Sequence, residues 1–212
     1  MPTAPIKAIF TDVGGVLLTN GWEGSYRKQA AEQFHLDLAE MESRHKLAFD
    51  TFEIGKITFD EYLNLIVFHK PRGFSLDEFK TFAFAQSKPF PETIELIREV
   101  KARYGLKVVA VSNEGRELNE YRIREFGLAA FIDFFVTSCF VGLRKPDPDI
   151  FRMAIDLAQT PPEETVYLDD RPLLVEAARG LGLIAIHHTG PEETRVALAR
   201  LGLDTIGSSH SV

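Results

Sequence analysis

Six polar residues stand in four groups along the chain: Asp12, Ser112 with Asn113, Lys145, and the pair Asp169-Asp170. Three carboxylates brought together repel and raise one another's pKa unless a cation sits among them. Hard carboxylate oxygens, with no Cys/His cluster beside them, suit Mg²⁺, which keeps several waters and binds through one or two carboxylates plus a phosphate. Ser112, Asn113 and Lys145 bring a hydroxyl, an amide and a positive charge, the partners a phosphoryl group needs. Gly14 and Gly15 permit a tight backbone turn close to a ligand. A carboxylate nucleophile, a metal and a cationic clamp together describe phosphoryl transfer through an aspartyl-phosphate. Each group alone also has an ordinary reading. Asp12 could be an Asx-turn, Ser112-Asn113 a turn, Lys145 a solvated charge and Asp169-Asp170 the start of a helix. Where the fold puts them decides between the two.

Five short apolar, β-rich runs cover 6–11, 107–111, 134–137, 165–168 and 183–186, with helix-like stretches between them. This alternation predicts parallel βαβ units. Ligands of open α/β sheets bind beyond the carboxyl ends of the strands. Asp12 ends the first run, Ser112-Asn113 the second and Asp169-Asp170 the fourth, and Lys145 follows the third. Residues up to 158 positions apart (170 minus 12) are thus expected along one sheet edge.

The helices carry their own punctuation. Pro91 opens one that Gly105 closes, Asp147-Pro148 caps and starts another, and Pro172 and Pro191 begin two more. From Val16 to Phe90 there is no strand run, only amphipathic patterns near 22–34, 38–52, 58–68 and 75–86. Thr58-Phe59-Asp60-Glu61 and Ser75-Leu76-Asp77-Glu78 are capping boxes, and Pro71-Arg72-Gly73 separates the helices they begin. The predicted fold is therefore α/β: a doubly wound, Rossmann-like parallel sheet formed by residues 1–17 and 88–212, interrupted by a helical insertion over 18–87.

Composition narrows the field. The 212 residues carry 24 basic and 31 acidic side chains, net −7, which argues against a general nucleic-acid binder. Cys139 is the only cysteine, so no intrachain disulfide is available. Apolar runs such as Val108-Val109-Ala110-Val111 are far below the ~20 residues of a membrane span, so no membrane partner is expected. The first seven residues lack a secretory pattern, which makes a cytoplasmic location the default, and Ser208–Val212 is expected to fray. The 17 Phe residues stand against one Trp, and many lie between 34 and 90, where a separate small helical core is expected.

At this point the sequence resembles the haloacid dehalogenase superfamily of aspartate-nucleophile hydrolases. The resemblance rests on Ala8-Ile9-Phe10-Thr11-Asp12-Val13-Gly14-Gly15-Val16-Leu17, Val109-Ala110-Val111-Ser112-Asn113, Gly142-Leu143-Arg144-Lys145-Pro146-Asp147 with Ile150-Phe151, and Val166-Tyr167-Leu168-Asp169-Asp170-Arg171. The insertion resembles that family's α-helical cap. Glu53-Ile54-Gly55-Lys56-Ile57-Thr58 is similar to a cap segment of the branch holding glucose-1-phosphate phosphatase and the phosphatase domain of epoxide hydrolases. The resemblance implies that Asp12 is the nucleophile and that Asp12, the Gly14 carbonyl and Asp170 hold Mg²⁺, with Asp169 as a further ligand or a neighbour of the ligands. It also implies that Ser112, Asn113 and Lys145 hold the phosphoryl group, and that Lys145 offsets charge between the carboxylates. The expected activity is a Mg²⁺-dependent phosphatase for a small phosphorylated metabolite such as a sugar phosphate, with the oligomeric state left open.

The chain departs from the family pattern twice. Gly14 stands where most phosphatases of the family have an Asp general acid, and Leu174 where an Asn is frequent. Two other readings follow from the same residues: a cofactor-free 2-haloacid dehalogenase, which needs no acidic metal pair, and a phosphoryl-ligand-binding regulator without turnover, which needs no nucleophile. Elsewhere the simple expectations are a solvated loop carboxylate for Glu114, helix core for Trp22 and Tyr26, solvated charges for Arg27 and Arg44, and a structural role for Cys139. His187 and His188, adjacent on a strand, point to opposite faces and are not expected to share a metal.

Overall fold

A computed structural model describes residues 5–205. Residues 1–4 and 206–212, with the tail expected to fray, lie outside the described residues. All five expected strands form: β1 (Ala8–Thr11), β2 (Lys107–Ser112), β3 (Phe134–Thr137), β4 (Thr165–Asp169) and β5 (Ile184–His187). They pair in parallel in the order β3-β2-β1-β4-β5, so the first strand is the middle one and the chain winds outward from it both ways. The register sets Thr11 opposite Ala110 and Leu168, which brings the ends of β1, β2 and β4 to one edge.

Successive strand residues face opposite ways, and both faces are buried. Ile9, Val108, Ala110, Val166 and Leu168 pack under Leu96, Ile97 and Val100 of α5 (Pro91–Tyr104) and Leu198 of α10 (Pro191–Ala199). Ala8, Phe10, Val109, Val111 and Tyr167 pack against Ile150, Phe151 and Ala154 of α8 (Pro148–Ala158) and Val175 and Ala178 of α9 (Pro172–Arg179). Each of these helices has Pro in its first turn, where a missing N–H costs nothing.

Between β1 and α5 lie α1 (Gly24–Gln33), α2 (Leu38–Glu53), α3 (Phe59–Ile66) and α4 (Leu76–Ala85). Both capping boxes form at Thr58 and Ser75, each hydroxyl accepting from the amide three residues on while the Glu accepts in return. The four helices share a cluster of their own, in which Phe52 stacks on Tyr62 and Trp22 meets Phe79 edge-on. The chain enters and leaves this unit through adjoining segments: Thr19 N donates to Lys88 O and Phe90 N to Leu17 O.

The structure adds α6 (Arg116–Glu125) and the single turn α7 (Ser138–Val141), which the apolar periodicity does not announce. Arg-Glu-Leu-Asn-Glu-Tyr-Arg-Ile-Arg-Glu offers few apolar positions, and α6 buries Asn119 and Arg122 together with Leu118. Leu118 and Tyr121 join the aromatic cluster of the inserted helices. No helix among the described residues is long and apolar enough to cross a membrane.

Candidate active site

Asp12 follows the central strand, where its amide donates to Leu168 O, continuing the ladder one step past β1. Its Oδ1 accepts from the Val13 amide at 2.7 Å and its Oδ2 lies 3.0 Å from Lys145 Nζ. The Ser112 hydroxyl, at the end of β2, lies near enough to this carboxylate to pull its pKa down. Burial pushes the Asp12 carboxyl up, Lys145 pulls it down, and Asp169 adds to the rise.

Lys145 arrives on the loop between α7 and α8. Asn113 fixes that loop by donating from Nδ2 to Lys145 O at 2.9 Å and accepting from Lys145 N at 2.8 Å. The Asn113 amide is thus committed to the loop. Lys145 Nζ donates to Asp169 Oδ2 at 2.7 Å and to the Tyr167 hydroxyl at 3.0 Å. Burial alone disfavours the ammonium, but Asp12 and Asp169 more than offset it and hold Lys145 above the usual lysine range. Lys145 is therefore charged, as a buried lysine between two carboxylates must be.

Asp169 is fully enclosed and both of its oxygens are taken: Oδ1 by the Arg171 amide, Oδ2 by Lys145 and by the Tyr167 hydroxyl. Tyr167 and Asp169 face the same way because they are two apart on β4, a signal present in the sequence once the strand is placed. Burial, then Asp169, keeps the phenol well above its ordinary range, so Tyr167 acts as a neutral donor.

Asp170 is different. Oδ2 accepts from Asn20 Nδ2 at 3.0 Å, whereas Oδ1 is buried without a partner. Oxygens of Asp12, Asp169 and Asp170 lie within 4.8 Å of one another. An orphaned buried carboxylate oxygen in an all-oxygen donor set fits a hard divalent cation. Gly15 closes the same corner at φ 76°: a Cβ there would run into the Asp170 carboxylate. At Gly14 a Cβ would come within 2.8 Å of Asn20 Oδ1. Leu174 packs as a buried apolar residue, and the side-chain bond to Asp170 comes instead from Asn20, a residue that no motif or apolar period marks.

A cavity of about 250 Å³ opens at this edge, lined by Asp12 just past β1, by Lys145 on its loop, and by Trp22, His45 and Glu53 from the inserted segment. Two expectations need correcting there. Glu114 is no solvated loop carboxylate: it pairs with Arg122, which also donates to Ser87 Oγ and Thr19 O and is only 1% exposed. Burial raises the Glu114 pKa against the pull of Arg122. Nor is Arg27 solvated: it is buried, with Nε 2.6 Å from Glu42 Oε1 and Nη1 donating to Trp22 O. Trp22 does belong to the helical core, and Arg44 is a surface charge beside Glu40. Cys139 is buried, and burial pushes its thiol up to about 12, which suits a packing role. His188 is buried on Thr194 while His187 is exposed near the Asp170 carbonyl, so the two diverge as expected.

Glu53 lies at the end of α2, in the segment 53–58, and carries no local sequence signal of a site residue. Its carboxyl is buried and Oε2 lies 2.6 Å from Arg144 Nη2. Burial pushes it up to about 7 against the pull of Arg144, and Glu114 adds to the rise.

The model of a haloacid dehalogenase-like hydrolase matches residues 6–182. Bifunctional epoxide hydrolase 2 of Sus scrofa is 24% identical over 200 residues, 85% of this chain and 36% of the relative. The chain spans only 26–36% of the length of the three mammalian epoxide hydrolases it matches. Glyceraldehyde 3-phosphate phosphatase of Methanothermobacter thermautotrophicus is 25% identical over 213 residues, covering 94% of this chain and 93% of the relative. Among solved structures, a HAD family enzyme of Bacteroides thetaiotaomicron, crystallised as its magnesium complex, superposes with a TM-score of 0.74 at 20% identity, over 87% of this chain and 94% of that one.

Proposed function

Because the chain belongs to the haloacid dehalogenase-like hydrolase family, we propose that it is a Mg²⁺-dependent phosphatase that transfers the phosphoryl group of a small metabolite to Asp12 and then to water. The observation that carries this reading is the Asp12 carboxylate, held by the Val13 amide and Lys145 beside the unpartnered Asp170 Oδ1.

Asp12 supplies the attacking oxygen. Its bond to the Val13 amide fixes Oδ1, so the carboxylate meets phosphorus in one orientation. Lys145 and the Ser112 hydroxyl stand beside it and hold phosphoryl oxygens as charge shifts toward them. Asn113 keeps the Lys145 loop in register, Asp12 and Asp169 keep the Lys145 ammonium charged, and Asp169 with Tyr167 aims it. Asp12 and Asp170 have the freest oxygens for Mg²⁺, with the Gly14 carbonyl as a third candidate and Asp169 behind them through Lys145. When bound, the ion offsets the negative charge of the carboxylates and the phosphoryl group.

Residues 18–87 are read as a cap on a core formed by 1–17 and 88–212, because the insertion has its own apolar cluster and joins the core through two adjoining segments. Such a cap closes the site and excludes water. The cavity volume suits a small substrate, and the glyceraldehyde 3-phosphate phosphatase among the relatives directs attention to short sugar phosphates. Cofactor-free dehalogenation is disfavoured, since it leaves Asp170 Oδ1 buried with nothing to bind. The test is phosphate release from a panel of sugar phosphates, nucleotides and phosphorylated acids, with Mg²⁺ and with EDTA. The reading expects Mg²⁺-dependent release that Asp12→Asn abolishes; release unaffected by EDTA or by Asp12→Asn overturns it.

A further inference from the structure

A phosphatase that forms an aspartyl-phosphate must give a proton to the departing alcohol and take one from the incoming water. Gly14 has no side chain to do either, and the Asn20 side chain stands where one would extend. Three other carboxyl groups line the same cavity as Asp12: Glu23, Glu53 and Glu114. Glu23 is exposed to solvent and accepts from Ser25 Oγ at the start of α1. Glu114 is bound to Arg122 Nη1, and Nε and Nη2 of the same guanidinium donate to Ser87 Oγ and Thr19 O, so it is the counter-ion of an anchored, buried guanidinium. Glu53 has only the Arg144 ion pair among the described residues, through Oε2.

Glu53 is also the better placed. Its carbonyl accepts from Ser138 Oγ at 2.7 Å, and the same hydroxyl accepts from the Glu114 amide at 3.0 Å, one residue past Asn113. Arg144, its ionic partner, immediately precedes Lys145, and also pairs with Asp50 one turn back on α2. The end of α2 is therefore tied to both loops that carry the phosphoryl-contacting residues. Gly55 makes the close approach possible: at φ 74° it sits where a Cβ would overlap the Cys139 carbonyl.

We propose that Glu53 is the general acid and base of the reaction, brought to the site by the inserted helices in place of an acid at position 14; this rests on the phosphatase reading above. As an Asp12 oxygen bonds phosphorus, the bond from phosphorus to the ester oxygen breaks. That oxygen takes the Glu53 proton and leaves as the alcohol. Water then attacks phosphorus and gives a proton to the Glu53 carboxylate as the Asp12–phosphorus bond breaks. Glu53 ends protonated and Asp12 ends as a carboxylate. The groups facing Glu53 are Arg144, Glu114, Arg171 and Asp50. Their balance with burial keeps the acid form populated near neutral pH, as a donor for this step requires.

The experiment compares single-turnover alcohol release from benzyl phosphate and 4-nitrophenyl phosphate by the wild type and Glu53→Gln, with Mg²⁺. Loss of a general acid is expected to slow benzyl alcohol release by about 100-fold or more and to spare 4-nitrophenol, a leaving group that departs without a proton. Phosphoenzyme should accumulate in the variant, because the base for the second step is gone. Equal losses on both esters, or no loss on either, overturn the proposal while leaving the phosphatase reading intact. A wild type that releases phosphate from neither ester and from no member of the panel above overturns that reading and this one with it. If Glu53→Gln does not fold, the wild type decides: the benzyl to 4-nitrophenyl rate ratio should fall as pH rises through about 7, and a flat ratio refutes the assignment.

Discussion

Lys145 Nζ lies 2.7 Å from Asp169 Oδ2, and neither side chain is more than 1% exposed. An ion pair this deep is costly to break from one side, because the remaining charge stays buried. Lys145→Met should therefore lower unfolding stability by about 3–5 kcal/mol, on the scale of other severed buried pairs. It should also cut turnover by at least about 100-fold, since the donor beside the phosphoryl oxygens is lost. Replacing Asp169 as well, in Lys145→Met/Asp169→Leu, should recover part of the stability and none of the activity. Urea unfolding of the wild type, Lys145→Met, Asp169→Leu and the double variant checks this; strictly additive losses would contradict the pairing.

Asp170 Oδ1 is the buried oxygen that a cation should satisfy. Mg²⁺ should raise the melting temperature as its concentration passes the dissociation constant, because a ligand bound only to the folded state stabilises it by about 2.7 kcal/mol at 100 times Kd. Asp170→Asn should abolish that shift without lowering the Tm of the metal-free protein by as much as Lys145→Met does. A thermal-shift titration reads both, and an undiminished Mg²⁺ response in Asp170→Asn would move the cation elsewhere.

How much of this could be read beforehand depends on what a position signals locally. Asp12, Lys145, Asp169 and Asp170 were legible because each stands at the end of an apolar run or in a loop just after one, and parallel pairing brings such ends together whatever the sequence distance. Asn20, Arg122, Arg144 and Glu53 were not. Each lies in a loop or a helix, where a polar residue reads equally well as solvated. What draws them into the site is contact between the inserted helices and the sheet edge, as when Arg122 on α6 reaches Thr19 O. The same cause hid α6: its inner side buries Asn119 and Arg122 rather than an apolar stripe, so it has no 3.6-residue hydrophobic period to detect.

His45 joins the inserted helices through a polar chain. Trp22 Nε1 donates to the Tyr62 hydroxyl at 3.0 Å, which leaves the Tyr62 proton for His45 Nδ1 at 2.7 Å. His45 must then be neutral, in agreement with burial and Arg27 lowering its pKa to about 4 from 6.5. A histidine depressed by folding contributes stability that is complete above pH 6.5 and is lost as pH falls toward 4. The urea midpoint should therefore drop between pH 7 and pH 5, and drop less in His45→Gln, which can still accept from Tyr62. Equal drops in both proteins would show that His45 does not titrate with unfolding.

Phosphatase action through Asp12 requires that this residue become covalently phosphorylated. Acid-quenched mixtures of enzyme, Mg²⁺ and 4-nitrophenyl phosphate, digested and read by mass spectrometry, test it directly. One phosphoryl group should appear on the peptide carrying Asp12, early in the turnover of the wild type and more persistently in Glu53→Gln. Turnover with no phosphoryl adduct in the quenched protein, or an adduct on any other residue, would contradict the account.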